Sequence, residues 1–332
     1  MENDAWLLQL PQYEGSDFNK NVKQILTTFI PYFILMFTMF GIVHQGYSYG
    51  LVLLLCPLAG LFTVRMFIIL HDCAHKTYFK GSPSACFLWG HICGMFTFTA
   101  FFDFRQTHVL HHATVANLEK RGVGDIWTMT VGEYQQAPLW IKLGYRLYRN
   151  PFFLFLVAPT FEFLLVNRFP KRVSRLPELL SILFEDLVIV LMVLVAYFTI
   201  GIKSFIAVQL PVLFLAANMG VWIFYIHHQF ENVYWSRAKD WDRIDAAIKG
   251  SSFYKFPDFI EWFTGHIGYH FIHHLNYRIP NYNLEKCYRE IPQLQIKPRT
   301  FIDGVKSMFL ALWDEKTGTL VSFSSLKPLN RF

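Results

Sequence analysis

Thirteen histidines occur in this 332-residue chain, and twelve of them follow residue 70. They are grouped. His71 and His75 stand in HDCAH, and His108, His111 and His112 in HVLHH. His270, His273 and His274 stand in HFIHH, and the pair His227/His228 in YIHHQFE. Residues at i, i+3 and i+4 share one face of a helix, so each cluster can aim its imidazoles at one point. His266 stands one turn before His270. A lone histidine reads as a hydrogen-bonded interfacial residue; three clusters with repeated HxxHH or HxxxH spacing read as a site. Imidazole suits Zn, Cu, Fe and Ni. A catalytic zinc takes about three protein ligands and has no redox chemistry. Eight or nine histidines are too many for one ion and suit two.

The elements that carry these clusters are set by composition. Hydrophobic residues make up 53% of the chain, charged residues 16%, and there are 35 Phe. The net charge of +6 is modest, and no nucleic-acid partner is expected. Gln24–Val64, Leu187–Ile202 and Ser204–Phe230 contain no Asp, Glu, Lys or Arg. About 20 apolar residues cross a bilayer core as a helix, and runs this long in lipid are helical. Buried core helices of a soluble protein are the weaker alternative. We therefore expect an all-α integral membrane protein, a single domain over residues 1–332, with four spans at about 25–44, 47–69, 182–202 and 204–226. The N-terminus, MENDAWLLQLPQYEG, lacks the basic start of a cleavable signal peptide. The five cysteines form no CxxC and read as reduced, buried thiols.

Flanking charge predicts the topology. The turn at Gln45–Tyr49 is uncharged and the turn at Gly201–Ser204 has one Lys, so both are expected to face outward. The polar parts, about 70–181 and 227–332, then form a cytoplasmic helical cap. Two further apolar stretches are expected not to cross. Pro151–Asn167 has basic residues on both sides, and reads as re-entrant or interfacial. Ser84–Phe102 separates the first two clusters, and a full crossing there would put them on opposite faces. Residues 299–314 look amphipathic, as an interfacial helix or one packed on the cap. His71 follows the second span and His228 ends the fourth, so all clusters fall at the cytoplasmic edge. Two redox metals there point to oxygen activation beside an apolar substrate.

The clusters, their order and their relation to the spans resemble the membrane-bound fatty acid desaturases over nearly the whole chain. HDCAHKTYF, RQTHVLHHATVANLEKRGVGDIW, YIHHQFENVYW and WFTGHIGYHFIHHLNYRIPNYNLEKC look most like bacterial acyl-lipid desaturases. The resemblance implies two iron ions. Their ligands would be His71, His75, His108, His111, His112, His270, His273 and His274, with His228 as the ninth. His227 departs from the glutamine common at its place in the family. His266 stands where relatives often show asparagine, and is expected behind the ligands. Asp72, Asp125 and Glu231 are candidates to orient imidazoles through their other nitrogen. His44 and His91 read as structural.

The implied reaction activates O2 and removes two hydrogens from neighbouring acyl carbons, consuming two electrons and two protons. Phe98, Phe101, Phe102, Trp127, Trp222 and Tyr225 are candidate walls of an acyl tunnel, with ordinary packing the simpler reading of each. The chain shows no GxGxxG loop, no cysteine pattern for an iron–sulfur cluster and no recognisable haem-binding domain. Electrons are therefore expected from a separate carrier of ferredoxin or cytochrome b5 type. Lys120, Arg121, Arg168, Lys171 and Arg172 are candidates to dock it or to contact anionic lipid. The expected location is a bacterial inner membrane, with the site on the cytoplasmic side. A hydroxylase or ketolase of a lipid or carotenoid is the near alternative; a haem- or metal-binding transporter is the remote one.

Overall fold

The computed structural model describes residues 2–171 and 174–326; Arg172 lies outside them. After a 3₁₀ segment (Glu2–Tyr13), helices α1 (Phe18–His44) and α2 (Tyr49–Ala74) form a hairpin. Then follow α3 (Pro83–Thr97), α4 (Phe101–Thr114), strand β1 (Met129–Thr130), α5 (Val131–Gln136), α6 (Leu139–Tyr148) and α7 (Ala158–Leu164). A second long hairpin is built from α8 (Leu176–Thr199) and α9 (Ile202–His228). The remainder comprises α10 (Arg243–Ile248), α11 (Asp258–Thr264), α12 (His270–Leu275), α13 (Asn281–Glu290), α14 (Phe301–Ser307), β2 (Leu312–Asp314) and β3 (Thr319–Val321).

Among the described residues, α1, α2, α8 and α9 are the four helices long and apolar enough to cross a membrane. Their surfaces say the same. Phe37 is 72% and Phe198 79% exposed, whereas Ile69 on the central helix α2 is fully buried. Each large apolar side chain left in water forgoes about 2 kcal/mol, and these helices bare whole rows of them. Such faces are stable against lipid.

The expected spans match these helices, with shifted ends. α2 runs on to Ala74, so His71 lies inside its last turn rather than after it. α8 begins at Leu176, because Pro177 suits a first turn and Glu178 accepts from the Arg175 N–H at 2.8 Å. The second hairpin turns at Ile200–Gly201, one to three residues early, where Gly201 adopts φ 79°.

The stretch Ser84–Phe102 does not form one straight span. α3 has 15 residues, about 22 Å of helix, short of the roughly 30 Å hydrocarbon core. The chain then bends by 100° into α4. The bend is possible because α3 presents glycines to what returns. A Cβ on Gly94 would sit 2.5 Å from the Thr99 carbonyl oxygen, and one on Gly90 would overlap the Phe101 ring. Pro151–Asn167 is likewise broken, into a π-turn (Phe153–Val157) and α7, bent by 58° from α6.

One expectation fails here. Residues 299–314 do not form one amphipathic helix: α14 stops at Ser307, and Leu312–Asp314 is a strand. Buried donors claim the carbonyls that would continue the helix. Tyr145 Oη bonds the Ala311 oxygen, and Arg149 bonds that of Leu310. Strand β2 then pairs parallel with β1 and antiparallel with β3, so the cap also holds a small sheet.

The third histidine cluster is seated by a close backbone approach. The Tyr254 N–H donates to the Gly268 oxygen at 3.0 Å, and a Cβ on Gly268 would overlap the Tyr254 carbonyl oxygen. Gly268→Ala is therefore expected to destabilise the fold by about 3 kcal/mol, read as a melting temperature several degrees lower in detergent.

Candidate metal centre

The three clusters and the His227/His228 pair converge. His71 and His75 come from the C-terminal end of α2, His108 and His112 from α4, and His273 from α12. A ligand nitrogen of each lies within 4.8 Å of those of the other four. His111, His228 and His274 form a second group on the same criterion. His270 joins it: its Nε2 lies 2.9 Å from His228 Nε2 and 3.1 Å from His274 Nε2. These are the nine imidazoles expected from the sequence. Each of α4 and α12 feeds both groups because successive histidines point to opposite sides of one helix edge. His112 and His274 stack at 4.2 Å and tie the groups together.

The donor set fits cations. His111 Nδ1 faces Asp125 Oδ1 at 2.6 Å, and His228 Nδ1 faces the Gly250 oxygen at 3.2 Å. Both acceptors call for a proton on Nδ1, which in a neutral ring leaves Nε2 as a bare lone pair. Yet those Nε2 atoms lie 3.2 Å apart. Two lone pairs at that distance repel unless a cation lies between them. Nitrogens bound to one ion at about 2.1 Å lie about 3.0–3.4 Å apart. The Nε2 atoms of His71 and His75 are buried and lack any hydrogen-bond partner, as metal-facing atoms should be. Burial, then neighbouring imidazoles, hold His270, His273 and His274 well below the usual histidine range, in the neutral form that binds metal.

The groups behind the imidazoles were only partly foreseen. Asp72 Oδ1 meets His71 Nδ1 at 3.1 Å, and Asp72 Oδ2 accepts from the Asn281 backbone and side-chain N–H, each at 2.8 Å. Asp125 holds His111 as expected. His227 stacks on His270 at 4.4 Å and places Nδ1 3.1 Å from Ser252 Oγ. Glu231 does not join: its side chain is exposed, and its carbonyl accepts from Leu320 N–H at the sheet. His266 also turns away. Its left-handed backbone (φ 56°) follows the end of α11 and points the ring at Glu285 (3.5 Å) and Glu261 (3.7 Å). The Gly250 carbonyl, Asn281 and Ser252 carry no sequence signal for this role, since the chain brings them in from distant loops.

The aromatic candidates take packing roles. Phe101 and Phe102 pack on His91, Trp127 on Tyr145 and Tyr148, and Trp222 on Phe301. Tyr225 is buried and donates to the Ser307 and Leu310 carbonyls. Phe98 is the left-handed residue that ends α3. The rings that do touch the imidazoles are others. Phe104 stacks on His108 at 5.0 Å, Phe224 lies 5.4 Å from His111, and Tyr277 stacks on His75 at 5.0 Å.

Glu261 beside His266 gives a separate pH signature. It is 1% exposed, and burial pushes its carboxyl up to about 7 against the pull of the Phe256 N–H and the Lys255 ammonium. The folded protein thus holds a proton that the unfolded chain releases. Stability from this group is full below the ordinary carboxylate value of 4.5 and falls as pH rises through about 7. Glu261→Gln removes that loss. Thermal unfolding in detergent is expected to show the variant above the wild type at pH 8 and level with it at pH 5.

Fold and site together define a class: a multi-span membrane protein whose span ends and cap bring histidines into two groups, each able to hold a metal ion. The family model described as Fatty acid desaturase matches residues 49–301. A relative named "Fatty acid desaturase" from Bacillus subtilis is 39% identical over 322 residues, covering 97% of this chain and 91% of the relative. An "sn-1 oleoyl-lipid 12-desaturase" from Synechocystis sp. is 27% identical, covering 68% of this chain and 64% of its own. An "sn-1 acyl-lipid omega-3 desaturase (ferredoxin)" from Nostoc sp. is 24% identical, covering 90% and 82%. The chain belongs to the fatty acid desaturase family, and is an oxidoreductase.

Proposed function

We propose that this protein introduces a double bond into acyl chains of membrane lipids, with two iron ions held by His71, His75, His108, His112 and His273 on one side and His111, His228, His270 and His274 on the other. The observation that carries this reading is the convergence of nine imidazoles, seven of them buried and two half-buried, with the Nε2 atoms of His111 and His228 3.2 Å apart. Iron suits imidazole and, when bound, supplies the two-electron activation of O2 that removing hydrogens from unactivated methylenes requires. The chain's own groups do the rest. The Asp125 carboxylate and the Gly250 carbonyl keep protons on His111 Nδ1 and His228 Nδ1, so that each Nε2 faces inward. Asp72 does the same for His71 and is itself fixed by Asn281. Phe104 and Phe224 cover imidazole faces and exclude water from the reacting atoms.

Sidedness follows from charge. The far ends of the hairpins, Gln45–Tyr49 and Ile200–Ser204, carry a single basic residue, Lys203, whereas the cap carries most of the basic residues. That distribution supports a cytoplasmic cap in a bacterial inner membrane. The chain has no nucleotide loop of its own, and the Nostoc relative's name includes ferredoxin, which supports a separate one-electron carrier as donor.

Expression in a host whose lipids are wholly saturated, followed by mass-spectrometric mapping of acyl chains, tests the reading. New chains lighter by two hydrogens are expected. A gain of one oxygen instead would make the protein a hydroxylase.

A further inference from the structure

The basic residues first suggested for carrier docking are mostly engaged. Arg121 pairs with Glu133, Arg168 with Asp186 at 3.0 Å, and Lys171 with Asp103 at 3.5 Å. A different face stays open. Between the N-terminal 3₁₀ segment, α10 and the end of α12 lies a cavity of about 440 Å³. His274 lines its floor, and so does Tyr277. Both histidine groups therefore reach this one opening: His274 belongs to the smaller group, and Tyr277 stacks on His75 at 5.0 Å and lies 5.8 Å from His112 in the larger.

The wall is charged. Arg243 and Arg278 line the cavity and are exposed, and neither guanidinium has a carboxylate or hydrogen-bond partner among the described residues. The acid of the wall, Glu14, is occupied: it accepts from Asn276 Nδ2 at 3.0 Å and faces Lys80 at 3.6 Å. Two uncompensated guanidiniums thus flank a cavity lined by His274 and by Tyr277.

We infer that this cavity is the docking face for an acidic one-electron carrier protein, with Arg243 and Arg278 steering it so that its redox group stops over His274 and Tyr277. The inference rests on the desaturase reading, which requires two electrons per double bond. Positive patches of this kind raise encounter rates and fix orientation more than they alter the chemistry that follows. The carrier gives up one electron per visit and leaves oxidised, so two visits serve each turnover.

The test uses the iron-loaded enzyme in nanodiscs with reduced plant-type [2Fe–2S] ferredoxin. Arg243→Glu and Arg278→Glu are each expected to raise KM for ferredoxin about tenfold with kcat little changed. Arg278→Lys should stay near the wild type. The Kd of oxidised ferredoxin for the metal-free protein, measured by thermophoresis, should rise in parallel and should weaken with salt. A single turnover driven by dithionite and methyl viologen should be unaffected. Lys203→Glu, at the start of α9 and the whole length of that helix away from His228, serves as the control. Unchanged KM and Kd in the Arg243→Glu/Arg278→Glu double variant would overturn the inference. So would an equal loss of dye-driven turnover, which marks a structural role, or weakened binding to anionic vesicles with ferredoxin binding intact, which marks a lipid contact. Wild-type enzyme that forms no product with either reductant would instead sink the desaturase reading itself.

Discussion

His273→Ala is expected to abolish double-bond formation, lowering turnover by about three orders of magnitude or more, while the protein still folds and stays in the membrane. His273 holds the larger group together. Its Nε2 lies 3.0 Å from His112 Nε2, and its ring is 4.4 Å from that of His71 and 4.9 Å from that of His75. It is 1% exposed and sits among the other four imidazoles of its group. Iron per protein, measured by plasma mass spectrometry, should fall by one equivalent. Far-UV circular dichroism and membrane yield should not change, because Phe271 and Ile272 still anchor α12 in the core. Full activity in His273→Ala would remove that residue from the ligand set. His266→Ala is the matched control: it lies in the same sequence run but faces Glu261 and Glu285, and should retain most activity.

Asp125→Asn should lower iron affinity or activity by roughly 10- to 100-fold, the usual cost of losing an imidazole's outer partner. Asp125 reaches His111 only because the loop ahead of it folds tightly over α4. Gly124 takes φ 69° there, and a Cβ on it would sit 3.2 Å from the His111 Cβ. The carboxylate fixes the proton on Nδ1. An asparagine can turn its NH2 toward the ring instead and place the lone pair on the wrong nitrogen. The readout is twofold: metal retention during dialysis against a chelator, and product yield. Glu231→Gln, which changes an exposed acid with no imidazole contact, should leave both unchanged. If Asp125→Asn also left both unchanged, the partner role would fall.

The spans and the clustered histidines were legible because each is written in local pattern. An uncharged run longer than a bilayer is thick can only be a buried or membrane helix, and α1, α2, α8 and α9 lie where those runs are. Imidazoles at i, i+3 and i+4 must share a helix face, which made the clusters readable before any fold was known. Asp72 and Asp125 were legible for a weaker reason: they stand near histidines in sequence, and so did Glu231 and His266. Nearness along the chain does not fix direction. His266 is turned out by two consecutive left-handed residues after α11, Gly265 and His266 itself, and Glu231 by the strand pairing beside it. The amphipathic pattern of residues 299–314 misled in the same way, because buried Tyr145 and Arg149 take the carbonyls that a longer helix would have used.

The sequence by itself determined that this is a membrane protein and which histidines share a helix face, since hydropathy and helical spacing act within about one turn or one span. The tertiary structure alone decided how nine imidazoles divide into two groups, and that Gly250, Ser252 and Asn281 support them. It also placed Arg243 and Arg278 over the opening to both groups. Those relations join segments up to about 200 residues apart, as Asp72 and Asn281 are at a separation of 209. They arise from long-range packing, in which a buried polar atom takes whatever partner the fold delivers.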